Sequence, residues 1–294
     1  MSDQVATHAD GGSQPELLDL HARMNFRCHR AIACFNACCK RADVMLTPYD
    51  LLRLKARIGK PSDELLRRHT VPFQMERDGL PGVKLRTDDA GVCTFLGANG
   101  CRIYSDRPTV CRYYPLGQLS ILPAATGIGR TCYSLQLEEH CKGHREARTQ
   151  SVEQYLRSQE TAGYDEMNQG WLQLMLRRRS MGPALGRPPT VTLQLYFMAC
   201  FDSDRFRRFV LSDNFRDSYL VEESTYLALA EDDISLMLFG VRFMRQVLFG
   251  ERTIEEREGA WERRVEGRRA VWKARREAEI VRRQREEDEK YRDC

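Results

Sequence analysis

The chain has 294 residues, 46 of them basic and 42 acidic, for a formal net charge of +4. That length can bury a full core without disulfide stapling, and the charge is too balanced to predict nucleic-acid binding. The most apolar run, Val191 to Cys200, falls well short of the roughly 20 residues that cross a hydrocarbon core, so no membrane span is expected.

In chain order, residues 1–24 come first, opening MSDQVATHADGGSQPELL. They lack the basic and apolar segments of a secretory signal and read as a flexible polar tail, with a cytoplasmic location as the expectation. Residues 25–146 then hold nine of the eleven cysteines, led by Cys28-x5-Cys34-x3-Cys38-Cys39 and followed by Cys93, Cys101, Cys111, Cys132 and Cys141. In a reducing compartment disulfides have no lasting advantage, so thiolates at this density read as ligands for one or more metal centres.

Within that region Leu46 to Leu51 carries a helix start. Thr47 can cap, Pro48 suits the first helical position, Asp50 sits in the first turn, and Leu46 can staple to Leu51. The helix should run to about Ile58 and stop at Gly59-Lys60-Pro61. Ser62-Asp63-Glu64 should then cap a shorter helix carrying Leu65 and Leu66. From Gly82 to Gly100 the pattern changes to short extended pieces, with Val83 and Leu85 alternating, then Val92 to Leu96, then a turn through Gly97, Asn99 and Gly100. Cys93 and Cys101 flank that turn. The segment SDRPTVCRYYP predicts a short helical turn, begun by Pro108 and ended near Pro115, with Cys111 on it.

Residues 147–250 read as a helical domain. Helices are expected in VEQYL, MNQGWLQLMLRR, TLQLYFMACFD, FRRFV and YLALAEDDISLMLFGVRFMRQVLF, separated by Gly, Pro and SDN breaks. Residues 251–294 carry 14 basic and 13 acidic side chains, the pattern of a long charged helix with many i to i+4 ion pairs. The expected fold is therefore mainly α, with a small irregular Cys-rich metal-bound module of short strands and loops and a long charged C-terminal helix. No internal repeat is evident.

A structural zinc site takes four Cys or His ligands, and an iron–sulfur cluster commonly takes four thiolates, so eight or nine cysteines could fill two such sites. The spacing matches neither the short C-x2-C pair of zinc ribbons nor the plant-type ferredoxin pattern, and it leaves the metal open. Adjacent Cys38 and Cys39 would strain the backbone if both entered one tetrahedral shell. Separate centres, one ligand with one packing thiol, a vicinal disulfide and two buried thiols all stay open.

Each four-thiolate centre carries a net charge of about −2, which favours nearby cations. Arg102, Arg107, Arg112 and Arg130 flank Cys101, Cys111 and Cys132, and Lys40 and Arg41 follow the vicinal pair. Arg107 and Arg112 are expected to donate hydrogen bonds to sulfur; an ordinary surface charge is the alternative for each. His29, His140 and His144 lie beside Cys28 and Cys141 and could ligate zinc, although most such histidines coordinate nothing. Cys200 reads as a packed core thiol and Cys294 as incidental.

The segments FRCHRAIACFNACC, VCTFLGANGCRIYSDRPTVCRYYPLG and CKG resemble the YkgJ-type cysteine-cluster family, also called CxxCxxCC or zinc- or iron-chelating proteins. The resemblance covers roughly Phe26 to Gly143. Its most specific part is Cys101-x2-Tyr104-x2-Arg107-Pro108-x2-Cys111-Arg112-x2-Pro115. It implies metal ligation by Cys28, Cys34, Cys38, Cys39, Cys93, Cys101, Cys111 and Cys141. The gaps before Cys34 and Cys38 are longer than the family's name-giving spacing, which leaves the division of ligands between sites open.

The leading expectation is a cytoplasmic protein binding an iron–sulfur cluster, zinc or both. Metal ions are its partners, and the helical domain or C-terminal helix would meet a protein partner. The alternative is a protein-modifying enzyme, because flagellin lysine N-methylases carry a similar cluster that resembles an iron–sulfur module. Gly127-Ile128-Gly129 lacks the strand-loop-helix setting of a glycine-rich cofactor loop. Nucleic acid ranks last as a partner, since the near-equal acid content of the tail opposes phosphate binding.

Overall fold

The computed structural model describes residues 16–263 apart from 41, 76–78, 122–129, 182–185 and 187, together with scattered positions from 265 to 281. The fold is mainly α with short strands. The chain divides into two compact units, Met1–Arg187 and Pro188–Cys294.

The first unit contains strand β1 (Arg23–Asn25), helices α1 (Pro48–Ile58) and α2 (Ser62–His69), and strands β2 (Thr70–Gln74), β3 (Pro81–Leu85), β4 (Leu96–Gly97) and β5 (Gly100–Cys101). Helix α3 (Thr109–Tyr113) follows, then β6 (Leu116–Ile121), β7 (Arg130–Leu135), β8 (Thr149–Ser151), α4 (Val152–Ser158) and α5 (Ala162–Ser180). The strands pair antiparallel in two-stranded sheets: β1 with β8, β2 with β3, β4 with β5, and β6 with β7.

Helix α1 matches its sequence signals at both ends. Thr47 and Asp50 form a reciprocal capping box, Asp50 N donating to Thr47 Oγ1 at 3.1 Å and Thr47 N to Asp50 Oδ2 at 2.9 Å. Pro48 opens the helix, and Gly59 closes it at φ 66°, a left-handed conformation that costs glycine little. Helix α2 differs from expectation at its start. Pro61 holds the cap position, its carbonyl accepting from Leu65 N at 3.0 Å, and Ser62, Asp63 and Glu64 form the first turn. In β3 the buried side chains of Val83 and Leu85 alternate as expected, while the turn beyond Val92 becomes the β4–β5 hairpin.

Met24, Phe26, Tyr113, Leu116, Tyr133, Val152, Tyr155 and Leu156 form a buried core in the first unit. Helix α3 thus shares apolar contacts with β1, the β6–β7 hairpin and α4, which ties the cysteine-bearing segments to one scaffold.

The second unit contains α6 (Thr190–Phe201), α7 (Ser203–Val210), α8 (Asp213–Arg216), β9 (Tyr219–Leu220), α9 (Glu223–Glu231), α10 (Asp233–Phe249) and β10 (Glu255–Glu256), which pairs with β9. The expected single run from Tyr226 onward is two helices. Asp232 leaves helical dihedrals at φ −110°, ψ 118°, and its carboxylate accepts from Ser235 N at 2.7 Å and Ile234 N at 3.2 Å, capping α10. Phe206, Phe215, Phe239 and Phe243 are buried and pack ring to ring. At Gly240 a Cβ would sit 2.8 Å from the carbonyl oxygen of Ala199, so the α6–α10 crossing needs glycine there.

The charged helix expected over 251–294 does not begin at 251: Glu255–Glu256 pairs with β9 as a strand and helical residues begin at Ala260, while most of the segment lies outside the described residues. Among those residues, no helix is long and apolar enough to cross a membrane.

Candidate metal centre

The first cysteine run is wound into consecutive tight turns. Ile32 N bonds His29 O, Phe35 N bonds Ile32 O, and Ala37 N bonds Cys34 O at 2.9 Å. Asn36 turns the chain in the left-handed region at φ 66°, and Ala37–Cys39 is a 3-10 turn that Lys40 N closes onto Ala37 O at 3.0 Å. Cys34, Cys38 and Cys39 therefore leave one compact coil.

Cys93 reaches this coil through its backbone, its N–H donating to Cys39 O at 2.8 Å. The Asp88 carboxylate organises the preceding turn by accepting from Ala90 N at 3.0 Å and Val92 N at 2.9 Å. From Cys93 the chain enters the β4–β5 hairpin, in which Leu96 faces Cys101. Gly100, at φ 112°, permits the turn and lies beside the Phe35 ring.

Cys111 lies on α3, and the start of α3 is held by Asp50. Oδ1 of this fully buried carboxylate accepts from Thr109 N at 2.8 Å and Thr109 Oγ1 at 2.7 Å, while Oδ2 caps α1. One side chain thus sets two helix starts. Burial pushes the Asp50 carboxyl up, against the opposing pull of these donors.

Cys28 and Cys141 meet at the other end of the coil. Phe26 N bonds Arg148 O at 3.2 Å and Arg27 N bonds Gly143 O at 3.1 Å, continuing the β1–β8 pairing toward Cys28. Lys142 N donates to Cys34 Sγ at 3.1 Å, a backbone amide aimed at sulfur. A Cβ on Gly143 would lie 2.6 Å from the Phe26 ring, so this approach also depends on glycine. Tyr114 Oη donates to Glu138 Oε2 at 2.6 Å beside the same loop.

The thiols are near enough to influence one another's ionisation. Burial, then Cys38, Cys34 and Cys141, push Cys28 up to about 11. Burial first, then Cys93, Asp50, Cys101 and Cys38, raise Cys111. Burial likewise raises Cys93 and Cys101. A hydrogen bond between the thiols of Cys38 and Cys39 holds Cys38 down at about 7 and raises Cys39, on which Cys111 and Cys101 also act. None of the ten described cysteines is in a disulfide.

Among the described residues, no three Cys, His, Asp or Glu side chains already share a point fit for an ion. Closing a metal shell on this backbone therefore requires thiol rotation. The donor chemistry fits zinc or iron, both of which take thiolate ligands. A bound cation outweighs the burial, and the lesser mutual repulsion, that raise Cys28, Cys93, Cys101 and Cys111, so metal uptake releases protons.

The arginines act differently from expectation. Arg107 donates to Tyr104 O and Gln159 Oε1, each at 2.8 Å. Buried Arg112 donates to Arg107 O, Ser105 O, Gln159 O and Tyr164 Oη, with its guanidinium over the Tyr164 ring. Neither donates to sulfur. Their direct work is to tie the Cys101–Cys111 loop to α4 and α5, although Arg107 and Arg102 still lower the thiols of Cys101 and Cys93 through their charge. Arg41 and the side chain of Arg130 lie outside the described residues.

His29 Nε2 lies 3.1 Å from Glu146 Oε2, His140 pairs with Glu138 at 3.4 Å, and His144 Nε2 meets Gln136 O at 3.1 Å. Cys132 sits mid-strand on β7 opposite Leu119, and Cys200 is buried in α6 of the second unit. Cys294 and Gly127-Ile128-Gly129 lie outside the described residues. Sequence patterning missed three supports: the Asp50–Thr109 anchor, the Tyr114–Glu138 bond and the Lys142 amide. Each joins groups far apart in the chain or uses backbone, so no local motif marks it.

Residues 27–126 match the CxxCxxCC family model, described as "Putative zinc- or iron-chelating domain". No curated protein and no solved structure matches the chain.

Proposed function

From the match of residues 27–126 to a zinc- or iron-chelating domain, we propose that Cys28, Cys34, Cys38, Cys39, Cys93, Cys101, Cys111 and Cys141 bind zinc, an iron–sulfur cluster or both. The observation that carries this reading is the convergence of separate cysteine-bearing stretches of chain: Cys93 N bonds Cys39 O at 2.8 Å, Lys142 N bonds Cys34 Sγ at 3.1 Å, and Asp50 seats the Cys111 helix through Thr109. Thiols gathered this closely repel one another as thiolates and are good neighbours around a cation. In this reading the protein is cytoplasmic, and residues 25–146 are its metal module. The later helices, with exposed Leu227, Ile234 and Leu238, offer a surface to a protein partner.

The test is elemental analysis of anaerobically purified protein with its Cys101→Ser and Cys111→Ser variants. Reduced metal content in folded variants is the expected result; unchanged metal content overturns the assignment.

A further inference from the structure

We infer that the eight thiols form two four-sulfur centres divided at the peptide bond between Cys38 and Cys39. One comprises Cys28, Cys34, Cys38 and Cys141, and the other Cys39, Cys93, Cys101 and Cys111. The inference rests on the metal-binding reading and adds the ligand partition and the stoichiometry.

The local backbone motivates the division. Cys38 and Cys39 are successive residues of the 3-10 turn Ala37–Cys39. With 3.0 residues per turn, successive side chains leave its axis about 120° apart, so the two sulfurs serve different shells more readily than one. A single four-ligand shell would also leave half of the thiols without an ion.

The flanking contacts then sort the other six. On one side, Lys142 N is bonded to Cys34 Sγ at 3.1 Å, and Arg27 N to Gly143 O at 3.1 Å, which brings together the segments that carry Cys28, Cys34 and Cys141. On the other side, Cys93 N is bonded to Cys39 O at 2.8 Å, and the β4–β5 hairpin returns the chain to Cys101. Asp50 seats the helix that carries Cys111 through Thr109.

Each centre with a divalent ion would carry a net charge of about −2.

The experiment is anaerobic titration of the metal-stripped full chain with cobalt(II), followed by the visible and charge-transfer bands of tetrahedral thiolate coordination. The parent should bind two equivalents. Cys28→Ser should lose one thiolate-coordinated equivalent and keep the other. Cys101→Ser should do the same, and the double variant should bind none. Helical circular dichroism checks each variant, and if one loses its fold the parent stoichiometry decides alone. One equivalent in the parent, or loss of both in a folded single variant, overturns the partition. A parent that binds no cobalt overturns the metal-binding reading itself.

Discussion

Oδ1 of Asp50 accepts both the amide and the hydroxyl hydrogen of Thr109, at 2.8 and 2.7 Å, so the capping residue of one helix also seats the helix that carries Cys111. The carboxylate is fully buried, and its other oxygen serves Thr47 N. Replacing it strips three donors of their partner at once.

Asp50→Ala is expected to destabilise the first unit by about 2–4 kcal/mol, the cost of a lost cap plus unpaired buried donors. Urea denaturation measures it. Burial raises the Asp50 carboxyl pKa, so its contribution to stability is fully present below the unfolded value, near pH 4, and is lost as pH rises through the higher folded value. Asp50→Asn cannot titrate. The stability of the parent relative to Asp50→Asn should therefore fall as pH rises above about 4; a difference independent of pH contradicts the account.

Gly143→Ala is expected to push the Cys141–Gly143 turn away from Phe26, because the new Cβ would meet the ring at 2.6 Å. The Lys142 amide would then lose its aim at Cys34 Sγ. Metal affinity should drop roughly 10-fold or more, the usual result of disturbing groups that orient ligands. Competition with a chromophoric chelator reads the change, and an unaltered affinity would show that this approach does not shape the site.

Arg112→Lys should cost about 2–3 kcal/mol despite keeping the charge. The guanidinium reaches Ser105 O, Arg107 O and Gln159 O in three directions, whereas an ammonium is a point donor and leaves buried carbonyls unpaired. Thermal unfolding compares the two proteins; equal stability contradicts this role.

How far the fold was legible depends on the range of the interactions. Helix α1 could be placed from Thr47 to Gly59 because its caps are local, and the Cys111 helix because Pro108 marks its start. The break at Asp232 lies in the acidic triplet Glu231-Asp232-Asp233, which interrupts the apolar pattern but caps a new helix only through the bonds that Ile234 N and Ser235 N supply. Cysteine density pointed to the candidate site. The approach of Cys28 to Cys141, however, depends on Met24 pairing with Gln150 and on Arg27 meeting Gly143, contacts that no local spacing encodes. Arg107 and Arg112 stood close to the cysteines in sequence, yet Gln159 and Tyr164 on the later helices turn their donors elsewhere.

X-ray absorption at the zinc and iron edges of anaerobically purified protein tests the central claim most directly. The account predicts metal surrounded by sulfur, at about 2.3 Å if the ion is zinc. A first shell of oxygen and nitrogen alone, or protein that takes up neither metal, would contradict it.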